Sequence, residues 1–217
     1  MARDAEPTKI ALVAAAERLF ASHGIDRVSL REVTRASGAR NAVALQYHFK
    51  DRSGVVRAVV KKHFPEVDRQ RHGMLDAYEK DGTRQVRQLS AALVVPLAAK
   101  LSDADGGPAY LQINAELVNR LRTPMEVGAQ RNSIDRWRTV VEPFLGQDAT
   151  RLHRRFTAIR FSATELGLRA KSAPHRDDRL FVSQLVDQVT ALLLAPVSAQ
   201  TSSLAMERDR GLSTRTA

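Results

Sequence analysis

Residues 28–51 read Val28-Ser29-Leu30-Arg31-Glu32-Val33-Thr34-Arg35-Ala36-Ser37-Gly38-Ala39-Arg40-Asn41-Ala42-Val43-Ala44-Leu45-Gln46-Tyr47-His48-Phe49-Lys50-Asp51. Ser29-Leu30-Arg31-Glu32 is a capping box, in which the serine oxygen takes the amide three residues on and the glutamate reaches back. Val28 and Val33 stand where a hydrophobic staple fixes the entry of a helix. That helix stops near Ala36, because Gly38 in the following Ser37-Gly38-Ala39 can take the positive φ of a tight turn. A short helix is expected over 41–47, and Asp51 can cap a long one over 52–80, which Pro65 should kink or divide. Two short helices joined by a three-residue, glycine-bearing turn fit a helix-turn-helix, with a plain packing element as the alternative for the second of them.

Upstream, 8–23 is helical: Thr8 can cap it, Ile10, Val13, Ala14, Leu19 and Phe20 form its apolar stripe, and Gly24 ends it. Downstream, helical periodicity recurs over 83–101 (with a kink expected at Pro96) and 108–121. Thr123-Pro124-Met125-Glu126 is a second capping box opening a helix to about 145, Asp148 can cap one to 171, and the last spans 178–195. From Pro196 the chain turns small and polar, then arginine-rich, and reads as a disordered tail over 197–217. No period-two alternation is sustained. The expectation is an all-α protein of about nine helices, with a three-helix N-terminal domain over 1–52 and a helical bundle over 53–196.

Composition narrows the function. The chain has 217 residues, 43% of them apolar, and no cysteine, which excludes disulfides, thiolate zinc sites and thiol nucleophiles. Its six histidines are scattered and form neither HxxxH nor HExxH, so no metal is expected. P-loop, GxSxG and GxGxxG patterns are missing, so neither an enzyme nor a cofactor is expected. No apolar run reaches the roughly 18–20 residues of a membrane helix and the N-terminus is not a signal peptide; the expected location is the cytoplasm. The net charge of +10 is divided: residues 1–63 hold 12 Lys/Arg against 6 Asp/Glu, 64–119 hold 6 against 8, and 120–180 hold 13 against 7. A single nucleic-acid face does not need the second basic region.

The pattern Ile10…Ala14-Ala15…Leu19-Phe20…Gly24, then Val28-Ser29-Leu30-Arg31-Glu32-Val33, then Gly38…Tyr47-His48-Phe49-Lys50-Asp51 resembles the DNA-binding domain of TetR-type transcriptional regulators. Order, spacing and the aromatic ending all agree over about 50 residues. Between Gly38 and Phe49 the chain is one residue longer than the commonest family pattern, which the turn or the start of the third helix must absorb. The resemblance implies a homodimeric regulator, a repressor released from a pseudo-palindromic operator when a small-molecule effector binds the C-terminal domain. It also implies ligand binding and dimerisation within 53–196.

On that reading Arg40, Asn41, Ala42, Val43, Ala44 and Gln46 are the base-reading candidates. Arginine suits guanine, asparagine and glutamine suit adenine, and small apolar side chains suit the thymine methyl. Arg40 stands close enough to the turn to grip a phosphate instead, and Val43 can equally pack inward. Ser29, Tyr47, His48 and Lys50 are phosphate candidates, with half-buried packing the alternative for Tyr47; Leu45 and Phe49 belong to the core. Apolar residues at three- and four-residue spacing, Phe156, Ile159, Ala163 and Leu166 and then Phe181, Leu185, Val189 and Leu192, are dimer-interface candidates, their alternative being the chain's own core. Tyr110, Leu111, Asn114, Met125, Trp137, Phe144 and Phe161 are candidates for an effector pocket, with ordinary core as the alternative. The arginines of 120–180 admit, on charge alone, an anionic ligand such as a carboxylate or an acyl-CoA. A rival to the whole reading is a helical module that meets acidic partners or DNA without sequence preference.

Overall fold

Leu12, Ala15, Ala16 and Phe20 recur every three to four residues and are buried along one side of α1 (Ala5–His23), the first helix of the computed structural model. Residues 5–39, 47–120, 132–145, 153–172 and 175–213 are described. Ile10, expected in the buried stripe, is instead 62% exposed, and Leu12 takes its place. Gly24, at φ +86°, ends α1 by donating its N–H to the Phe20 carbonyl at 2.8 Å. α2 (Leu30–Ala36) follows, then α3 (Arg52–Asp81), opened by Asp51, whose carboxylate accepts the Gly54 amide at 2.7 Å. α1, α2 and the start of α3 form the head; the rest forms the body.

The body continues with α4 (Val86–Ala98) and a 3₁₀ turn at Ala99–Leu101, α5 (Gly107–Asn119), α6 (Ser133–Val141) and a 3₁₀ turn at Glu142–Phe144. α7 (Arg154–Lys171), α8 (Arg179–Leu194) and α9 (Ala199–Ser213) complete it. Among the described residues all regular structure is helical. The Thr123-Pro124-Met125-Glu126 box and Asp148 lie outside the described residues; α6 is capped by Asn132, whose side chain accepts the Asp135 amide at 3.0 Å. α5 lies closely along α7, where a Cβ on Gly167 would come within 2.6 Å of the Ala115 Cβ. α8 packs on α4 and α7, and α3 packs on α1, α4, α5 and α6, joining head to body.

Of the readings made at the two prolines and at the tail, only that of the tail is overturned. Pro65 does not divide α3, which runs through it for 30 residues. Pro65 and Lys61 are both exposed, so water can take the Lys61 carbonyl that the missing N–H leaves free. Nor does Pro96 end α4. It strips the Ala92 carbonyl of its helical donor inside the core, and Arg71 of α3 supplies the replacement: Nε donates to Ala92 O at 3.1 Å, Nη2 to Leu93 O at 3.3 Å and Nη1 to Ser133 Oγ at 3.1 Å. Arg71 is only 2% exposed, and burial pushes its guanidinium down to about 10. The correction is the tail: Ser198 Oγ accepts the Thr201 amide at 3.2 Å and opens α9 where disorder was expected. Alanine, leucine and methionine at 199, 204, 205 and 206 favour the helix, and Ala205 is buried.

Candidate nucleic-acid interface

The capping box forms as read. Ser29 Oγ accepts the Glu32 amide at 3.2 Å, and Glu32 accepts the Ser29 amide at 2.7 Å. The Ser29 side-chain bond, then its backbone bond, hold the Glu32 carboxyl below its ordinary value. Val28 and Val33 are buried beside the box, which orients α2 against the head core. After α2, Ser37 Oγ donates to Thr34 O at 2.7 Å, and Gly38 takes φ +72°. The base-reading candidates Arg40, Asn41, Ala42, Val43, Ala44 and Gln46, and the core candidate Leu45, lie outside the described residues.

Residues 47–49 are helical, and the four side chains at this end diverge. Tyr47 is 81% exposed, so it is not a packing aromatic; its ring meets His48 edge-on at 5.3 Å. Phe49 is buried, as expected. Lys50 is exposed on a backbone at φ +63°, the left-handed turn that lets the chain reverse into Asp51 and α3. That reversal needs Gly54: a Cβ there would stand 1.8 Å from the Phe49 carbonyl oxygen. Arg52 Nη2 donates to Val28 O at 3.0 Å and ties the start of α3 to the entry of α2. Tyr47 and Lys50 therefore project from a turn fastened at both ends.

Sequence reasoning missed the cations around this turn. Arg27, Arg31, Arg35, Arg57 and Lys61 are exposed, and their side chains make no ion pair or hydrogen bond among the described residues. Arg31 and Arg35 share one face of α2, as Arg57 and Lys61 share one of α3, each pair at the four-residue spacing that was the available signal. Such unpaired, solvated cations are what phosphate contacts require.

The arginines of 120–180 are arranged otherwise. Arg120 pairs with Asp26 at 2.9 Å and with Glu116, Arg136 with Asp76 at 2.7 Å and Glu79 at 2.8 Å, and Arg138 with Asp135 at 2.9 Å. Arg155 pairs with Glu142 at 3.4 Å, Arg169 with Asp178 at 2.8 Å and Arg179 with Asp177 at 2.7 Å. Arg154 donates to Leu193 O and Arg160 to Asn119 Oδ1. Six of the thirteen Lys/Arg of 120–180 thus pair with carboxylates, while Arg122, Arg131 and Arg151 lie outside the described residues.

The other candidates are mostly core. Of the dimer candidates, Ala163, Leu166, Leu185 and Val189 are buried against the chain's own interior, Ile159, Phe181 and Leu192 are half-buried against it, and Phe156 is exposed. The apolar side chains that face outward on α7 and α8 include Leu168, Leu180 and Leu194. Of the pocket candidates, Tyr110, Leu111 and Trp137 are fully buried, Trp137 donating Nε1 to Leu89 O at 2.8 Å. Asn114 and Phe161 are half-buried, and Met125 lies outside the described residues. Phe144 lines a hollow of about 310 Å³ with Tyr78, Glu79, Gly82, Arg84, Val140 and Pro143, and none of the other described candidates lines it.

The bacterial regulatory proteins of the tetR family, a family of regulators rather than enzymes, match this chain over residues 12–59, from α1 to the first turns of α3. None of the curated proteins matches it. With its capping box, glycine turn and aromatic exit held in that span, the chain carries the N-terminal helix-turn-helix DNA-binding domain of the TetR family.

Proposed function

We propose that the chain is a homodimeric, sequence-specific repressor released from a pseudo-palindromic operator by a small-molecule effector. The observation that carries DNA recognition is the head surface, where a TetR-family helix-turn-helix is surrounded by exposed cations without internal partners. Two such heads would enter successive major grooves roughly 34–36 Å apart. The exposed Phe156, Leu168, Leu180 and Leu194 on α7 and α8 are the surface through which two bodies would pair. The effector would bind in the body and favour a dimer whose heads no longer fit the operator spacing. Among the described residues no single helix is long and apolar enough to cross a membrane, which agrees with a cytoplasmic DNA-binding protein.

The test is binding to an upstream sequence against random DNA across a salt titration. Specific recognition gives an affinity ratio of about 10³ or more, whereas a merely basic surface gives a ratio near one with a steep salt slope. Within it, Asn41→Ala should lower operator affinity and spare random DNA, while Lys50→Ala should weaken both alike. Unchanged discrimination in the Asn41 variant would remove that residue from base reading.

A further inference from the structure

We infer that Glu116 is a positioning residue for DNA recognition: seated in the body on α5, its carboxylate holds the loop between α1 and α2 and so sets the angle of the head. The inference rests on the DNA-binding reading above. Its first observation is an amide. Gly24 closes α1 with a single bond to Phe20 O, and the next N–H, that of the buried Ile25, goes to the Glu116 carboxylate, 3.1 Å from Oε2 and 3.3 Å from Oε1, 91 residues away in the chain. The second is a cation. Arg120, one turn on from Glu116, bonds that carboxylate and also reaches Asp26 Oδ2 at 2.9 Å, so the loop is held through backbone and side chain by neighbouring turns of one body helix. The third is space. Beside the clasp, α1, α5 and α7 leave a crevice of about 370 Å³ rimmed by Arg27, Thr164 and Lys171, so the packing of α1 on α5 is interrupted here and the polar contact bridges the gap. α1 also packs along α5 and α3, and its Glu17 accepts from Lys62 Nζ at 3.0 Å and lies 3.0 Å from His63 Nε2, beside the residues that precede α5. The Glu116 clasp therefore adds, beyond the end of α1, a polar fastening that limits turning of the head about that packed joint.

The experiment pairs hydrogen exchange with in vitro selection of DNA from a randomised duplex library, for wild type, Glu116→Ala, Glu116→Gln and Arg120→Gln. Losing the acceptor should speed exchange of the Ile25 amide about tenfold or more in Glu116→Ala, with α1 and α3 amides unchanged. Glu116→Gln keeps one acceptor oxygen and should fall between. In the selected DNA the half-sites should keep their base sequence while the spacing between them broadens, most in Glu116→Ala and least in Arg120→Gln. Should Glu116→Ala fail to fold, the other two variants carry the same comparison. Unchanged Ile25 exchange overturns the clasp, and faster exchange with an unbroadened spacing overturns its positioning role. A wild type that selects no sequence at all overturns both the DNA-binding reading and this role, and is distinguished from the other failures because no half-site emerges.

Discussion

Residues 1–63 and residues 120–180 carry the same net charge, +6, and use it in different ways. In the head, Arg27, Arg31, Arg35, Lys50, Arg57 and Lys61 stand in water without an internal partner among the described residues. In the body, Arg120, Arg136, Arg138, Arg155, Arg169 and Arg179 each meet a carboxylate. Exposed pairs of that kind contribute roughly 0–1 kcal/mol each, so the body spends its cations mainly on fixing which surfaces lie side by side. A polyanion site is thus marked by cations left unneutralised, and net charge alone does not locate one.

The comparison can be strained from both sides. The largest expected effect comes from the most deeply enclosed cation among the described residues of the body: Arg71→Met should lower unfolding stability by about 3 kcal/mol or more in denaturant titration, since it orphans Ala92 O and removes the donor to Ser133 Oγ. A stability within the scatter of surface substitutions would show that water replaces the guanidinium. In the head, Arg31→Gln with Arg35→Gln should weaken binding to operator and random DNA alike, by about tenfold or more, and reduce the salt slope by roughly two. Retention of the full slope would remove α2 from the phosphate face. Arg136→Gln in the body should leave the salt slope unchanged and alter stability by no more than about 1 kcal/mol; a fall in DNA affinity would erase the contrast between the regions. The smallest effect is a pH dependence of the capping box. Because Glu32 titrates lower folded than unfolded, its contribution is fully present above the unfolded value of about 4.3 and is lost as pH falls through the folded one. Acid titration of Ser29→Ala, which should itself cost about 1 kcal/mol, should show this component diminished.

What could be read from the sequence was local. Ser29 with Glu32, Asp51 before α3, and the turn glycines Gly24 and Gly38 all act over a few residues, so their chemistry is written in consecutive letters. The same holds for the helix-turn-helix as a whole. Features that depend on distant partners stayed hidden. Arg71 answers a proline 25 positions away, and Gly54 is required only because the Phe49 carbonyl folds back over it. Three- and four-residue spacing on α7 and α8 describes a buried stripe and an outward one equally well, which is why Leu166 and Leu185 turn inward while Leu168 and Leu180 do not. The tail was misread for a related reason: its small polar letters conceal a serine cap, and one capped turn is enough to start α9.

The unbroken α3 has a mechanical consequence. Thirty residues of helix span about 45 Å, from the Tyr47–Lys50 turn of the head to the C-terminal rim of the body. A continuous helix of this length can act as a lever arm: a tilt of about 5° at its body end displaces the head by about 4 Å, close to the rise of one base pair. A shift too small to disturb the packing around Leu75 or Tyr78 would therefore put a recognition element out of step with its groove by a whole base pair.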